Sequence, residues 1–87
     1  MKVIEGKVNN TKGLTSRLSA QIVAEANQFK SSITIKVFDE EADLKSIMNV
    51  MALVVPSSTP FVINIEGEDE DKAYENFQKF LKELDLL

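Results

Sequence analysis

The fold of this chain is decided by one segment, Ile33-Thr34-Ile35-Lys36-Val37-Phe38-Asp39-Glu40-Glu41-Ala42-Asp43-Leu44. In its first half, the apolar residues at 33, 35 and 37 alternate with their neighbours, which is the period of a half-buried strand. We predict a turn at Asp39-Glu40-Glu41 and a short return strand at residues 42–44. The segment therefore predicts an antiparallel hairpin that has to be covered on one face only.

Two more strands are predicted on either side of this hairpin. Residues 2–8 are rich in β-branched side chains and are followed by the turn formers Asn9-Asn10-Thr11-Lys12-Gly13. Residues 61–66 alternate in the same way as residues 33–37, and Gly67 ends that strand. The chain thus has four short stretches of strand character.

Three helices are predicted between and after the strands. The first begins at Ser16, with Thr15 or Ser16 as its cap, and Ser31-Ser32 ends it. The second follows Ser46 over residues 47–53, and the third follows Asp69 as its predicted cap. Apolar residues recur at helical spacing in the first and third helices: Leu18, Ile22, Ala26 and Phe29, then Ala73, Phe77, Phe80, Leu81 and Leu84.

The order of these elements is β-α-β-β-α-β-α. Strands with one apolar face require a layer of helices on that face and leave the other face in water. We therefore predict an α+β fold, an open-faced two-layer β-sandwich, in a single domain that spans residues 1–87.

Composition excludes several classes of function. The chain has no cysteine and no histidine, so thiolate chemistry, disulfides and the commonest metal ligand and general base are missing, and no metal site or cofactor is predicted. The longest nearly apolar stretch, Val50–Pro56, is too short to cross a bilayer, and residues 1–5 lack the apolar run of a signal peptide. We expect a cytoplasmic protein with no membrane partner.

The charge is distributed unevenly. Residues 1–36 hold six basic and two acidic side chains, a balance of +4, whereas residues 37–87 hold four basic and twelve acidic ones, a balance of −8. The total of −4 argues against direct binding of nucleic acid, which requires clustered Lys and Arg.

Two segments are candidates for function. Lys12-Gly13-Leu14-Thr15-Ser16-Arg17 leads into a helix, where free N–H groups and Arg17 favour an anion, although capping alone also explains these residues. Ser46 occupies a cap position and is also suited to phosphorylation. In the helix after it, Ile47, Val50 and Met51 share one side and Met48 points away, which suits either the core or an adaptable binding surface.

These segments carry a resemblance. Leu44-Lys45-Ser46-Ile47-Met48 with Val50-Met51, the loop residues Gly13, Leu14 and Arg17, and the turn Gly67-Glu68-Asp69-Glu70 are similar to the HPr phosphocarrier family of the bacterial phosphotransferase system. Within that family the chain looks most like the regulatory Crh-like proteins. The resemblance covers nearly the whole chain and implies a four-stranded antiparallel sheet of order 1-4-2-3 with three helices on one side.

The resemblance also implies roles for single residues. Thr15 occupies the position of the family's phosphohistidine; a hydroxyl forms a phosphoester without a labile P–N bond, so carrier activity is expected to be absent and the chain is not expected to be an enzyme. Ser46 becomes the phosphosite of an HPr kinase/phosphorylase-like kinase, after which the protein docks as a corepressor on a catabolite-control repressor. Arg17 and Lys45 would bind the phosphate, Arg17 as its charge partner. The docking residues would be Thr15, Arg17, Ile47, Met48, Asn49 and Met51.

Some residues depart from the family pattern. Leu18-Ser19 replaces Pro-Ala, Asn49 replaces a glycine on the docking helix, and Asp39-Glu40-Glu41 lacks the glycine usual in the hairpin turn. These departures support an alternative hypothesis, a diverged HPr-like module that binds an enzyme or transporter of sugar metabolism without phosphorylation. A homodimer that exchanges the first strand about the Asn9-Asn10 loop is a further expectation.

Overall fold

A computed structural model describes residues 1–87. Seven elements follow one another in the predicted order β-α-β-β-α-β-α. Their bounds are β1 Lys2–Lys7, α1 Ser16–Ala26, β2 Ser32–Val37, β3 Glu40–Asp43, α2 Ile47–Ala52, β4 Pro60–Glu66 and α3 Glu70–Glu83.

The four strands form one antiparallel sheet in the order β1-β4-β2-β3, as the resemblance implies. Its register aligns Ile4 with Ile63, Ile63 with Ile35, and Ile35 with Ala42. This row crosses all four strands, and every side chain in it is buried. Because side chains alternate between the faces of a strand, the same register leaves Val3, Thr34 and other neighbours on the uncovered face. The predicted open-faced α+β sandwich is confirmed.

The three helices cover the apolar face, and 19 buried apolar side chains form a single cluster between the two layers. Val23, Ile22 and Ala26 enter it from α1, Val50 from α2, and Phe77 and Leu81 from α3. Phe80 and Leu84 of the predicted stripe on α3 pack at its margin and are half-buried. None of the three helices is long and apolar enough to cross a membrane.

Helix α1 ends five residues before the predicted break at Ser31-Ser32, so the predicted end is wrong. Its C-cap is Asn27, whose side-chain amide donates to the carbonyl of Val23 at 2.9 Å. Phe29, which matched the helical spacing, lies beyond the helix and still reaches the core, where its ring centroid is 6.3 Å from that of Phe77. An amide side chain bonded to a carbonyl of the last turn therefore ends the helix early.

The β2–β3 hairpin is tighter than predicted. Val37 pairs with Glu40, so the turn is Phe38-Asp39, and the predicted turn at Asp39-Glu40-Glu41 is wrong. The strand β3 begins at Glu40, because that register lets Ala42 face Ile35 on the buried side. Two-residue hairpins need a positive φ, and here it falls on Phe38, at 56°.

Asp69 was predicted to cap α3, and this is wrong: its side chain makes no capping bond. Its carboxylate accepts instead from the backbone N–H groups of Lys30 and Ser31, both at 2.9 Å, and from the Ser31 hydroxyl. The backbone N–H of Gly67 donates a hydrogen bond to the Glu70 carboxylate at 3.1 Å. Asp69 thus joins the start of α3 to the start of β2, and these hydrogen bonds, led by the one from the Ser31 hydroxyl, lower its pKa to about 2.

We expect Asp69→Asn to lower the melting temperature at neutral pH, because a neutral amide cannot replace a carboxylate with three donors. The folded pKa of about 2 lies below the ordinary 3.8, so the contribution of Asp69 is complete above about pH 4 and is lost as the pH falls toward 2. Thermal melts at decreasing pH should show the gap between wild type and variant closing in that window. Glu83→Gln, which removes an exposed carboxylate on α3, is the matched control. A gap independent of pH would contradict this account.

Candidate functional site

The loop before α1 is held against the segment that follows α2. The Leu14 N–H donates to the Val55 carbonyl at 2.8 Å, and the Asn10 side chain accepts from the N–H groups of Lys12 and Gly13. Gly13 has a φ of 79°, and a Cβ there would lie 2.5 Å from the Val55 oxygen, so only glycine fits. The Ser57 hydroxyl also donates to the Asn10 carbonyl. The start of α1 is therefore anchored, including the Asn9-Asn10 loop that was expected to be flexible.

Of the two residues predicted as possible caps, Thr15 and Ser16, Thr15 is the N-cap of α1. Its Oγ1 accepts from the Leu18 N–H at 3.2 Å, and the side chain is half-buried. The position that the resemblance assigns to a phosphohistidine thus holds a hydroxyl that already serves the helix. Arg17 lies two residues further on, exposed, and forms neither a salt bridge nor a side-chain hydrogen bond within the chain. Its guanidinium is available to another molecule.

Ser46 is the N-cap of α2, also as predicted. Its Oγ accepts from the Asn49 N–H at 3.3 Å, and its carbonyl accepts the first helical bond, from Val50. The bond is long for a cap, and the side chain keeps part of its surface in water. The hydroxyl is therefore accessible and attached to the first turn of a short helix.

Lys45 and Asn27 hold the chain in front of Ser46. The Lys45 ammonium donates to the Phe29 carbonyl at 2.6 Å, and the Lys45 carbonyl accepts from the Asn27 side chain at 3.1 Å. Lys45 thus has a hydrogen-bond partner in the segment that follows α1. Its predicted role in binding a phosphate on Ser46 stays a prediction. Asn27 is a positioning residue that could not be recognised from the sequence. Its side-chain amide joins the carbonyls of Val23 and Lys45, and Lys45 is 18 residues away along the chain.

Helices α1 and α2 run antiparallel, which separates two residues that were expected to act together. The contact from Leu14 to Val55 joins the start of α1 to the end of α2, whereas Asn27 joins the end of α1 to the residue before Ser46. At 1.5 Å per residue, Arg17 and Asn27 are about 15 Å apart along the helix axis. Arg17 therefore does not lie beside Ser46, and the prediction of a direct charge pair between them within one chain is not supported by this geometry.

Helix α2 presents an apolar surface to solvent. The exposed fraction is 79% for Met48, 52% for Met51 and 37% for Ile47, and Val54, just after the helix, is 81% exposed. We call these four residues the α2 patch. Val50 is the one buried residue of α2, so Ile47 and Met51, which share its side of the helix, contribute more to the surface than to the core. A helix of six residues at the edge of the sheet has room for one large side chain beneath it.

Asn49 lies next to the α2 patch. It is exposed and, with Ala52 and Leu53, forms one wall of an open groove whose other wall is Glu40 and Glu41 of β3. Val54 was not among the predicted docking residues. Its exposure depends on the direction that the chain takes after α2, and no sequence pattern predicts that direction. No group of three or more His, Cys, Asp or Glu side chains is placed to hold a metal ion.

Comparison with known proteins agrees with the fold. The family model described as "PTS HPr component phosphorylation site" matches residues 4–83. The phosphocarrier protein HPr of Lysinibacillus sphaericus is 37% identical over 86 residues, which are 99% of this chain and 98% of that protein.

Two solved structures extend the comparison. The histidine-containing phosphocarrier protein of Mycoplasma superposes with a TM-score of 0.93 at 30% identity, covering 99% of this chain and 98% of that one. The Bacillus subtilis protein Crh, described as a dimer with a swapped domain, superposes with a TM-score of 0.72 at 34% identity, covering 87% of each chain. With the family model matching most of its length, the chain belongs to the HPr family of the phosphotransferase system, with both HPr and Crh proteins among its relatives.

Proposed function

We propose that this chain is a Crh-like regulatory protein that is phosphorylated on Ser46 and then acts as a corepressor in carbon catabolite regulation. The observation that carries the proposal is the accessible Ser46 hydroxyl directly before the α2 patch, in a family member with Thr15 in place of the phosphohistidine. In this role the protein works by being bound, in the cytoplasm, and catalyses no reaction itself.

The chemistry assigned to Ser46 is a simple phosphoryl transfer. An HPr kinase/phosphorylase-like kinase moves the γ-phosphoryl group of ATP to Oγ: a new P–O ester bond forms, the bond to ADP breaks, and the hydroxyl proton passes to a base of the kinase. The phosphate adds a charge of about −1.5 to −2 beside the exposed methionines. A catabolite-control repressor then binds a surface that combines the charge of the phosphate with the apolar side chains of the α2 patch. Thr15, Arg17 and Asn49 complete the proposed contact area.

The separation of Arg17 from Ser46 gives this contact area two parts. Arg17 and Thr15 lie at one end of α1, and Ser46 lies near the other end. Because Arg17 has no partner within the chain, we assign its charge to an acidic group of the repressor and not to the phosphate on Ser46. The repressor would therefore span the length of α1.

The alternative function is binding of an enzyme or transporter of sugar metabolism without phosphorylation. The observation in its favour is Asn49, whose side chain stands on α2 where the family has a glycine and could hinder a kinase. In this case the α2 patch alone would provide the binding energy. A strand-exchanged homodimer is compatible with either function, with β1 pairing with β4 of a second copy in the register that it now uses within one chain.

Incubation with the cognate kinase and ATP should place one phosphate on Ser46, read by mass spectrometry of the digested protein. Ser46→Ala should accept none. The same variant should lose about 0.5 to 2 kcal/mol of stability through the cap, at the lower end because the bond to Asn49 is long, so thermal melts must accompany it. Absence of phosphate on Ser46 would refute the regulatory proposal. Full binding of the partner by Ser46→Ala would favour the alternative.

Met48→Ala and Val50→Ala should separate docking from folding. Met48 is 79% exposed, so its truncation should leave stability unchanged and weaken binding of the phosphorylated protein to the repressor by about tenfold or more. Val50 is buried, and its truncation should instead cost about 2 kcal/mol of stability. Val3→Ala, on the uncovered face of the sheet, is the matched control for loss of exposed apolar surface. Unchanged affinity of Met48→Ala would remove the α2 patch from the interface.

Transfer of phosphate from phosphoenolpyruvate through enzyme I should not label this chain. The Thr15 hydroxyl can form only a phosphoester, which lacks the labile P–N bond that reversible phosphate relay requires. Radiolabelled phosphoenolpyruvate with a histidine-bearing HPr in the same mixture provides the positive control. A labelled Thr15 would show that the chain is a phosphocarrier after all.

A further inference from the structure

The tip of the β2–β3 hairpin exposes an aromatic side chain in a costly backbone conformation. Phe38 is 68% exposed and has a φ of 56°, in the left-handed region that bulky residues avoid. Glycine or asparagine would make the same turn at lower cost. Phe38 therefore adds nothing to the turn and little to the core, and its ring is presented to solvent.

The groove beside this tip has two chemically different walls. Glu40 and Glu41 line one side, and Ala52 and Leu53 of the α2 segment provide apolar surface on the other. Because side chains alternate along β3, the carboxylate of Glu40 lies on the same face as Ala42 and α2, whereas Glu41 faces the uncovered side opposite Lys36. A lysine or arginine side chain matches such a groove, because its aliphatic stem packs on apolar surface while its charged head stays near water and carboxylates. The groove thus favours a cationic side chain over an apolar or acidic one.

The carboxylates at the tip are not neutralised within the chain. Asp39, Glu40 and Glu41 have no cation within 4 Å, although Lys36 stands opposite Glu41 in the register of the sheet. The acidic residues at the start of α3 differ, since Glu70 and Asp71 pair with the Met1 amino group and Lys2. Lys36 offsets part of this charge from its position opposite Glu41, and the carboxylates of Asp39 and Glu40 are left without a salt bridge within the chain.

We propose that the hairpin tip is a docking surface for a basic and apolar segment of a partner protein. An apolar side chain of the partner packs on Phe38, and a neighbouring lysine or arginine enters the groove between Glu40, Glu41 and α2. The surface goes beyond the proposed regulatory function, because it requires no phosphate on Ser46. It lies beside the α2 patch, so one partner can contact both.

The test is an NMR titration of the full-length, unphosphorylated protein with a short peptide that alternates arginine and leucine. A peptide that alternates glutamate and leucine is the control. We expect the arginine peptide to shift the amide signals of Phe38 to Glu41 and of Asn49, Ala52 and Leu53, and the glutamate peptide to shift none of them. Glu66 and Glu68 are an internal control, because these exposed carboxylates also lack a salt bridge but have no exposed aromatic side chain next to them.

Variants separate binding at the tip from folding. Phe38→Gly should weaken the apparent Kd by about tenfold while the melting temperature stays equal or rises, because glycine relieves the strained φ. The double variant Glu40→Gln and Glu41→Gln should reduce both the affinity and its dependence on salt. Glu66→Gln with Glu68→Gln, an equal loss of charge elsewhere, should change neither.

Three results would overturn the proposal. The first is equal affinity of wild type and Phe38→Gly for the arginine peptide. The second is a set of shifts centred on Glu66 and Glu68, which would show that the peptide follows negative charge alone. The third is a dependence of the Phe38 signals on protein concentration without peptide, which would place a second copy of this chain on the tip. Since no kinase or nucleotide is present, none of these results depends on phosphorylation of Ser46.

Discussion

The burial of one face of the sheet is the constraint on which the rest of this structure depends. A row of apolar side chains, Ile4, Ile63, Ile35 and Ala42, crosses the four strands in register and has to leave water. Three helices cover it; α1 and α2 each lead into a further strand of the sheet, and α3 ends the fold. Because α1 and α2 lie side by side on that face, their ends meet, and the segments at those ends carry the residues that we propose to be functional.

Polar contacts between loops then determine where the functional residues stand. Asn27 and Lys45 bind the end of α1 to the residue in front of Ser46, and Leu14 binds its start to Val55. These contacts place Ser46 and Arg17 at opposite ends of α1, so a partner that contacts both residues has to extend along the helix. Asp69 plays a similar part at the neighbouring residues Lys30 and Ser31, whose three donors hold its carboxylate.

The residues of the proposed site differ in how much they contribute to the stability of the fold. Thr15 and Ser46 serve as helix caps, so their hydroxyls stabilise the fold in addition to any functional role. Met48 and Phe38 contribute little to the core and leave most of their surface in water. Large apolar side chains that do not stabilise the fold are candidates for contact with another molecule. Met48 is next in sequence to Asn49 on one side of the groove, and Phe38 is close in sequence to Glu40 on the other, so both proposed contacts with partners fall in this region.

The sequence by itself determined the element types, their order, the caps at Thr15 and Ser46 and the inward residues of β2, because these depend on alternation and on neighbours a few positions away. It also placed the exposed Met48. Only the tertiary structure decided where α1 ends, which groups bind Asp69, how tight the hairpin is and that Ile47 and Met51 of α2 are exposed as well as Met48. Each of these depends on atoms distant in sequence: Lys45 for Asn27, Ser31 for Asp69, and the pairing of Ala42 with Ile35 for the turn at Phe38.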